Sequence, residues 1–326
     1  MNSTALAALF ALFIWWFSTG VVLLLNGMQR RAYRWSLLAS TLLGLAALFA
    51  LAHTARQNDT ASVYCAFTSA LLVWGWHELS FLTGWITGPR TTAIPAALSG
   101  APRFVQAVRA ILWHELGILA VGLFIVAITW GAPNLVGTWT FLVLWAMRTS
   151  AKLNLYFGVR NLSEDFLPSH LTYLKSFFRR RAMNGFFPLS VGAAAAVLAL
   201  MVKHALAPTT PASEVLGLTL VGTMLALALV EHAMLVLPVS TTALWRWAMG
   251  SRAVTPTPDH PDGPDAGETF DAQGAQGVRG AHGAHGAHGR PASQAQPDRH
   301  EHKKNALRAE AAPHPLDKNE QLLHAR

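Results

Sequence analysis

The sequence predicts an all-α, polytopic membrane bundle of about seven transmembrane helices, with a periplasmic N-terminus and a cytoplasmic C-terminus. Three observations predict it. The chain is 52% hydrophobic and only 13% charged. Apolar runs near the ~20 residues needed to cross a hydrocarbon core about 30 Å thick recur along residues 1–250. The basic residues gather in alternate connections between those runs, as the positive-inside rule requires.

Seven spans follow in order: 5–25, 36–53, 63–86, 110–130, 135–157, 185–205 and 214–237, the second being the shortest. The first has no basic region before it and no small-residue cleavage pattern, so it reads as a retained helix, not a removed signal. Arg30, Arg31 and Arg34 follow the first span; Arg90, Arg103 and Arg109 follow the third. Lys152, Arg160, Lys175, Arg179, Arg180 and Arg181 end or follow the fifth. The intervening connections carry only Arg56, none in "GAPNL", and Lys203. Losing or adding one helix breaks this alternation. The formal charge of +8 is therefore topogenic, and nucleic acid is not an expected partner. The single cysteine, Cys65, excludes an internal disulfide and any Cys-based zinc or redox motif, and it reads as an ordinary core residue.

Two domains are expected. Residues 1–250 form the transmembrane helical domain, with an interfacial helix near 166–182. There Phe166, Leu167, Leu171, Leu174, Phe177 and Phe178 precede three arginines, a pattern suited to the anionic lipids of the inner leaflet. The alternative is a solvated loop with topogenic arginines. "LWRWAMG" reads as an aromatic and basic anchor at the interface. Residues 251–326 turn to Gly, Ala, His and Pro, including "GAHGAHGAHG", and read as a disordered cytoplasmic tail that buries too little apolar surface to fold.

The spans carry an unusual set of polar residues. His77 and Glu78 sit side by side in the third, His114 and Glu115 in the fourth, and Glu231 and His232 in the seventh. At a rise of 1.5 Å per residue, the three carboxylates lie about 9–12 Å above the cytoplasmic ends of their helices, on one level. The fifth span adds Arg148, Lys152 and Asn154 at or just below that level, with Arg148 and Lys152 four apart on one face. Ionisable groups at this depth face the bundle interior and mark function by default. Three carboxylates against two cations leave one over, to be protonated, paired with a histidinium, or bound to a metal. Glu78, His114, Glu115, Glu231 and His232 make a candidate metal set, because imidazole and carboxylate suit iron, manganese or zinc. Adjacent residues diverge by about 100° on a helix, however, and the Glu-x-x-His spacing of di-iron bundles is missing. A charge or proton-sharing cluster and a tetrapyrrole contact through histidine remain the other readings.

Several blocks in collinear order resemble one family: "ALFALFIWWFSTG", "WGWHELSFLTGWITGP", "GAPNLVGTWTFLVLWAMRTSAKLNLYFGVRN", "EDFLPSHLTYLKSFFRRRAMN", "FFPLSV" and "EHAMLVLP" followed by "LWRW". Over residues 5–249 the chain is similar to the PuhE family of photosynthetic complex assembly proteins of purple bacteria. The resemblance implies a multi-pass protein of the inner or intracytoplasmic photosynthetic membrane, encoded beside the reaction-centre H subunit. It implies a role in assembling the reaction centre and antenna and in bacteriochlorophyll supply, with reaction-centre or light-harvesting polypeptides and membrane lipids as partners. Matching blocks carry over Glu78, His114, Glu115, Arg148, Lys152, Asn154, Glu231 and His232, with His77 beside them, and no catalytic residue. His114 and His232 become candidate ligands for bacteriochlorophyll or a precursor, since neutral imidazole suits its magnesium. Trp74, Trp76, Trp113 and Trp145 would supply flat apolar surface or serve only as packing residues.

Two function classes follow. The first is a non-enzymatic assembly or pigment-handling factor. The second is an intramembrane metal-dependent oxidoreductase acting on a tetrapyrrole or carotenoid precursor, with iron at the His/Glu set. A transporter is a third and weaker reading, because no inverted repeat or matched pair of broken helices is visible.

Overall fold

A computed structural model describes residues 3–237 and 244–249, apart from Ala96 and Ser163. The tail expected to be disordered, 251–326, lies outside the described residues. Seven long helices follow the apolar runs: α1 (Ser3–Gly27), α2 (Arg30–Thr54), α3 (Thr60–Leu82), α4 (Gly100–Ile128), α5 (Val136–Phe157), α6 (Phe186–Ala205) and α7 (Ala212–Val236). A short α8 (Arg246–Met249) closes the unit. No strand occurs among the described residues; Val159 and Arg180 make one isolated bridge. The protein is all-helical, and α1, α2, α4, α6 and α7 are long and apolar enough to cross a membrane.

α3 is the centre of the bundle, touching α1, α2, α4, α5 and α7. Its ends are set by local chemistry. Asp59 caps the start, accepting from the amides of Ala61 (3.0 Å) and Ser62 (3.1 Å) and from the Ser62 hydroxyl (2.7 Å). The far end stops at Leu82, four residues short of the expected 86, where the Thr83 hydroxyl turns back to the Leu79 carbonyl at 2.8 Å. The loop beyond lies directly on α4. A Cβ at Gly88 would stand 2.1 Å from the Arg109 carbonyl oxygen, so only glycine permits the approach. Arg90 N donates to Arg109 O at 3.3 Å, and His114 N donates to Thr87 O at 2.9 Å. The loop thus enters the backbone hydrogen bonding of α4 at the level of His114 and Glu115.

α4 starts ten residues earlier than its apolar run, at Gly100. The added turns are amphipathic and carry Arg103, whose buried guanidinium donates to Phe177 O at 2.8 Å and lies over the Tyr156 ring at 4.7 Å. The interfacial α-helix expected near 166–182 is instead two stretches of 3-10 helix, Glu164–Phe166 and Ser169–Phe177. Pro168 supplies an extended residue between them, and Phe178 ends the second in extended backbone. Leu171, Leu174 and Phe177 are buried against Phe81, Leu82 and Ala110 of α3 and α4, so this apolar set packs on protein. Cys65, expected in the core, is exposed: it lines an open groove between α2 and α3 with Ala46, Ala47, Ala50, Thr68 and Ser69.

The end of the unit returns to its beginning. Trp245 Nε1 donates to Trp16 O and Trp16 Nε1 donates to Leu244 O, both at 3.1 Å. The ring of Trp247 fills the notch at Gly20, where a Cβ would meet it at 2.0 Å. The tryptophans read as an interface anchor therefore also clasp α1.

Candidate functional site

The polar residues of α3, α4, α5 and α7 do meet. Arg148 Nη2 donates to Glu78 Oε2 at 2.9 Å, joining α5 to α3. Lys152 Nζ lies 2.5 Å from Glu115 Oε1, joining α5 to α4. The third carboxylate is held differently: Glu231 Oε1 accepts from Trp15 Nε1 of α1 at 3.0 Å. Arg148 lies within electrostatic range of all three acids. Its spacing of four from Lys152 gives each cation its own acid on a different neighbouring helix.

The layer is not sealed. Arg148 keeps 46% of its side chain accessible and Glu231 is exposed, while Glu78 keeps 13%. These groups therefore lie along a flank of the bundle. Lys152 and Glu115, at 22% and 24%, lie deeper.

The histidines turn inward, as the 100° offset between neighbours requires. His232 is 2% exposed; its Nδ1 faces Ala228 O at 2.8 Å and so must donate, while Nε2 meets the Ser150 hydroxyl at 2.9 Å. His77 and His114 are 2% and 1% exposed, with ring centroids 6.4 Å apart. His77 Nε2 and His114 Nδ1 are buried without a hydrogen-bond partner, and Phe81 lies tilted by 39° against the His114 ring, with centroids 4.6 Å apart.

Asn154 belongs to a separate, neutral network. Fully buried, it donates to Ser150 O (3.0 Å) and Ser190 Oγ (3.2 Å), and its Oδ1 accepts from Asn184 Nδ2 at 3.0 Å. Asn184 also donates to Gly158 O at 2.9 Å, while its own Oδ1 accepts from the amides of Phe186 and Phe187 at the start of α6. Sequence reasoning missed Trp15, Ser150 and Asn184. Asn184 carried a readable signal, an Asn just ahead of an apolar run, which is a helix-start pattern. Trp15 and Ser150 carried none, because only the packing of α1 and α5 on α7 gives them their partners.

The arrangement bears on the two ligand readings. Among the described residues, no three His, Cys, Asp or Glu side chains are grouped to hold a metal ion. Glu78, His114, Glu115, Glu231 and His232 do not converge on one centre, since the acids face cations or an indole and the histidines face away. The residues fit a bound tetrapyrrole no better in this arrangement. His232 has both nitrogens occupied and His114 is enclosed under Phe81, so neither presents an open face to a macrocycle. The four tryptophans do not build one surface: Trp74 packs on Phe141, Trp76 Nε1 bonds to Thr41 Oγ1, Trp113 is 53% exposed and Trp145 borders the core around Phe141.

Comparison with known proteins places this architecture. The model of a family described as a protein of unknown function, DUF3623, matches residues 1–255. The chain belongs to the DUF3623 family. Its match takes in the whole polar layer and the returning tryptophans and stops where the Gly/Ala/His/Pro-rich segment begins. A relative in Rhodobacter capsulatus, described as an uncharacterized 30.4 kDa protein in the puhA 5′ region, is 36% identical over 257 residues. The alignment covers 77% of this chain and 93% of the relative. No solved structure matches.

Proposed function

We propose that this DUF3623 protein is a multi-pass membrane factor of photosynthesis. It serves assembly of the reaction centre and its antenna and the supply of bacteriochlorophyll, as the PuhE resemblance implies. The observation that carries the reading is the position of the Rhodobacter capsulatus relative in the puhA 5′ region. The fold supports a membrane site of action, since five helices have the length and apolarity to span a bilayer.

In this reading α3, largely buried among the other helices, and α5, with one flank open, cross as well, and seven crossings leave the N-terminus in the periplasm and the C-terminus in the cytoplasm of the photosynthetic membrane. The charged layer then sits in the cytoplasmic half, where Arg148, Glu78 and Glu231 on the flank offer reaction-centre or light-harvesting polypeptides a polar contact inside the bilayer. Polar groups at that depth are a costly surface to leave against lipid, which favours a partner covering them.

Deletion of the gene in a phototrophic host tests the proposal. Reaction-centre and antenna absorbance fall together, no single tetrapyrrole precursor accumulates, and the tagged protein co-purifies reaction-centre or antenna subunits. Build-up of one precursor would instead mark an enzyme. Reporter fusions after residues 28, 58, 95, 132, 175, 208 and 249 check the seven crossings, and any two consecutive fusions reporting the same side reject them.

A further inference from the structure

We propose that Glu231 is a proton-binding site on the flank of the bundle, held as the neutral carboxylic acid at rest. The inference rests on the membrane reading of α1 and α7 and goes beyond the assembly role.

Depth is fixed from two helices. Glu231 lies five residues inside the end of α7 at Val236, about 7.5 Å at the helical rise. Its carboxyl meets the indole of Trp15, twelve residues from either end of α1 and so about 18 Å from both. A group that reaches the midpoint of a spanning helix is inside the hydrocarbon region.

Charge is fixed by the pairing. Arg148 is engaged by Glu78 and Lys152 by Glu115, so each cation of the layer already has an acid in contact. Among the described residues, the groups facing Glu231 come from three helices. From α1 it is Trp15, a neutral donor; from α5 it is Arg148, in range but bonded elsewhere; from α3 it is Glu78, a like charge that opposes ionisation. Its neighbour His232 is committed to Ala228 O and Ser150 Oγ, on the other side of α7, and cannot serve as a counter-ion. Trp245, edge-on to Trp15 at 5.4 Å, adds only apolar surface. A lone carboxylate in such a medium is resolved by taking a proton. The hydrogen bond agrees with this, because Oε1 can accept from the indole while Oε2 carries the hydrogen.

Arg148 supplies the coupling. It holds Glu78 through one nitrogen only, and almost half of its side chain is accessible. Swung toward α7, its guanidinium balances a Glu231 carboxylate and leaves Glu78 as the unpaired acid, so the proton given up by Glu231 is taken by Glu78. Proton transfer and breaking of the α3–α5 pair are thus one event.

Infrared difference spectra of the full-length protein in lipid nanodiscs test this. At neutral pH the wild type shows the carbonyl stretch of a protonated carboxyl that Glu231→Gln lacks. Trp15→Phe keeps that band but moves it to higher frequency, as loss of an indole hydrogen bond requires, which a packing role alone would not do. The lipid-soluble probe N,N′-dicyclohexylcarbodiimide, which adds only to protonated carboxyls, forms an adduct that mass spectrometry finds on Glu231. A wild type without the band overturns the proposal. So does an adduct on Glu78 or Glu115 in place of Glu231, or a protein that takes no adduct. None of these readouts involves pigment or complex assembly, so failure here is distinguishable from failure of the proposed function.

Discussion

Two polar regions meet in the lower half of α5, and they are built on opposite terms. Asn154, Asn184, Ser150, Ser190 and His232 form a neutral network in which Asn154 and Asn184 are 0% and 7% exposed and each makes several hydrogen bonds. Arg148, Lys152, Glu78, Glu115 and Glu231 form a charged layer that is partly open and has one acid more than it has bases. The neutral network has nothing left to bind, which is what a structural clamp between α5, α6 and α7 requires. The charged layer keeps unsatisfied valence at its edge, which is what a partner or a proton requires. Polarity inside this bundle is therefore not one signal: a closed network clamps helices together, and an open balance leaves room for a further partner.

The sharpest test of this division is Asn184→Leu. It strands Asn154 Oδ1, the Gly158 carbonyl and two amides of α6, and at about 1–3 kcal/mol for each orphaned group the loss should be roughly 3 kcal/mol or more. A large drop in detergent melting temperature is expected, and a small one would remove the clamp. Next comes Lys152→Met. Removing one partner of a fully buried pair costs about 3–5 kcal/mol, but these side chains keep some access, so about 2 kcal/mol is expected. Adding Glu115→Leu should restore most of it, and a double variant no better than the single would mean that Glu115 has another partner. Arg148→Met should cost only about 1 kcal/mol, as befits a pair open to its surroundings, yet should fail to complement a deletion strain. If it complements fully, the charged layer is architecture too.

The smallest effect lies at the start of α3. Hydrogen bonds from the Ser62 hydroxyl and amide hold the Asp59 carboxyl below its ordinary range. A carboxylate whose folded pKa is depressed contributes its stability above the unfolded value of about 3.9 and loses it as pH falls through the folded value. Hydrogen exchange in the first turn of α3 should therefore quicken only in acid below about pH 4, and Asp59→Ala should show the quick rate at every pH.

The legible part of the molecule was what period and length dictate. Seven apolar runs gave seven long helices, and the polar residues singled out on α3, α4 and α5 lie in contact with one another. Helix ends were less legible where something other than apolarity sets them. α4 runs ten residues past its hydrophobic stretch because Arg103 is satisfied by carbonyls and a tyrosine ring from elsewhere in the chain. Residues 164–177 keep their apolar spacing but coil as two 3-10 stretches, interrupted at the extended Pro168. Pairing within the site was not legible at all. Position four apart says that Arg148 and Lys152 share a face, but which acid each meets depends on how three helices rotate about their axes, and the carboxylate left over finds an indole that no spacing rule connects to it.

The seat of Trp247 at Gly20 has a temporal meaning. The chain emerges from the ribosome N-terminus first, so α1 is in place long before the residues that clasp it exist. Until Met249 has been synthesised, the notch at Gly20 stands empty and the backbone carbonyl of Trp16 lacks the indole of Trp245. The clasp on α1 can therefore close only after all seven long helices have been synthesised, and a chain interrupted before α8 would lack it.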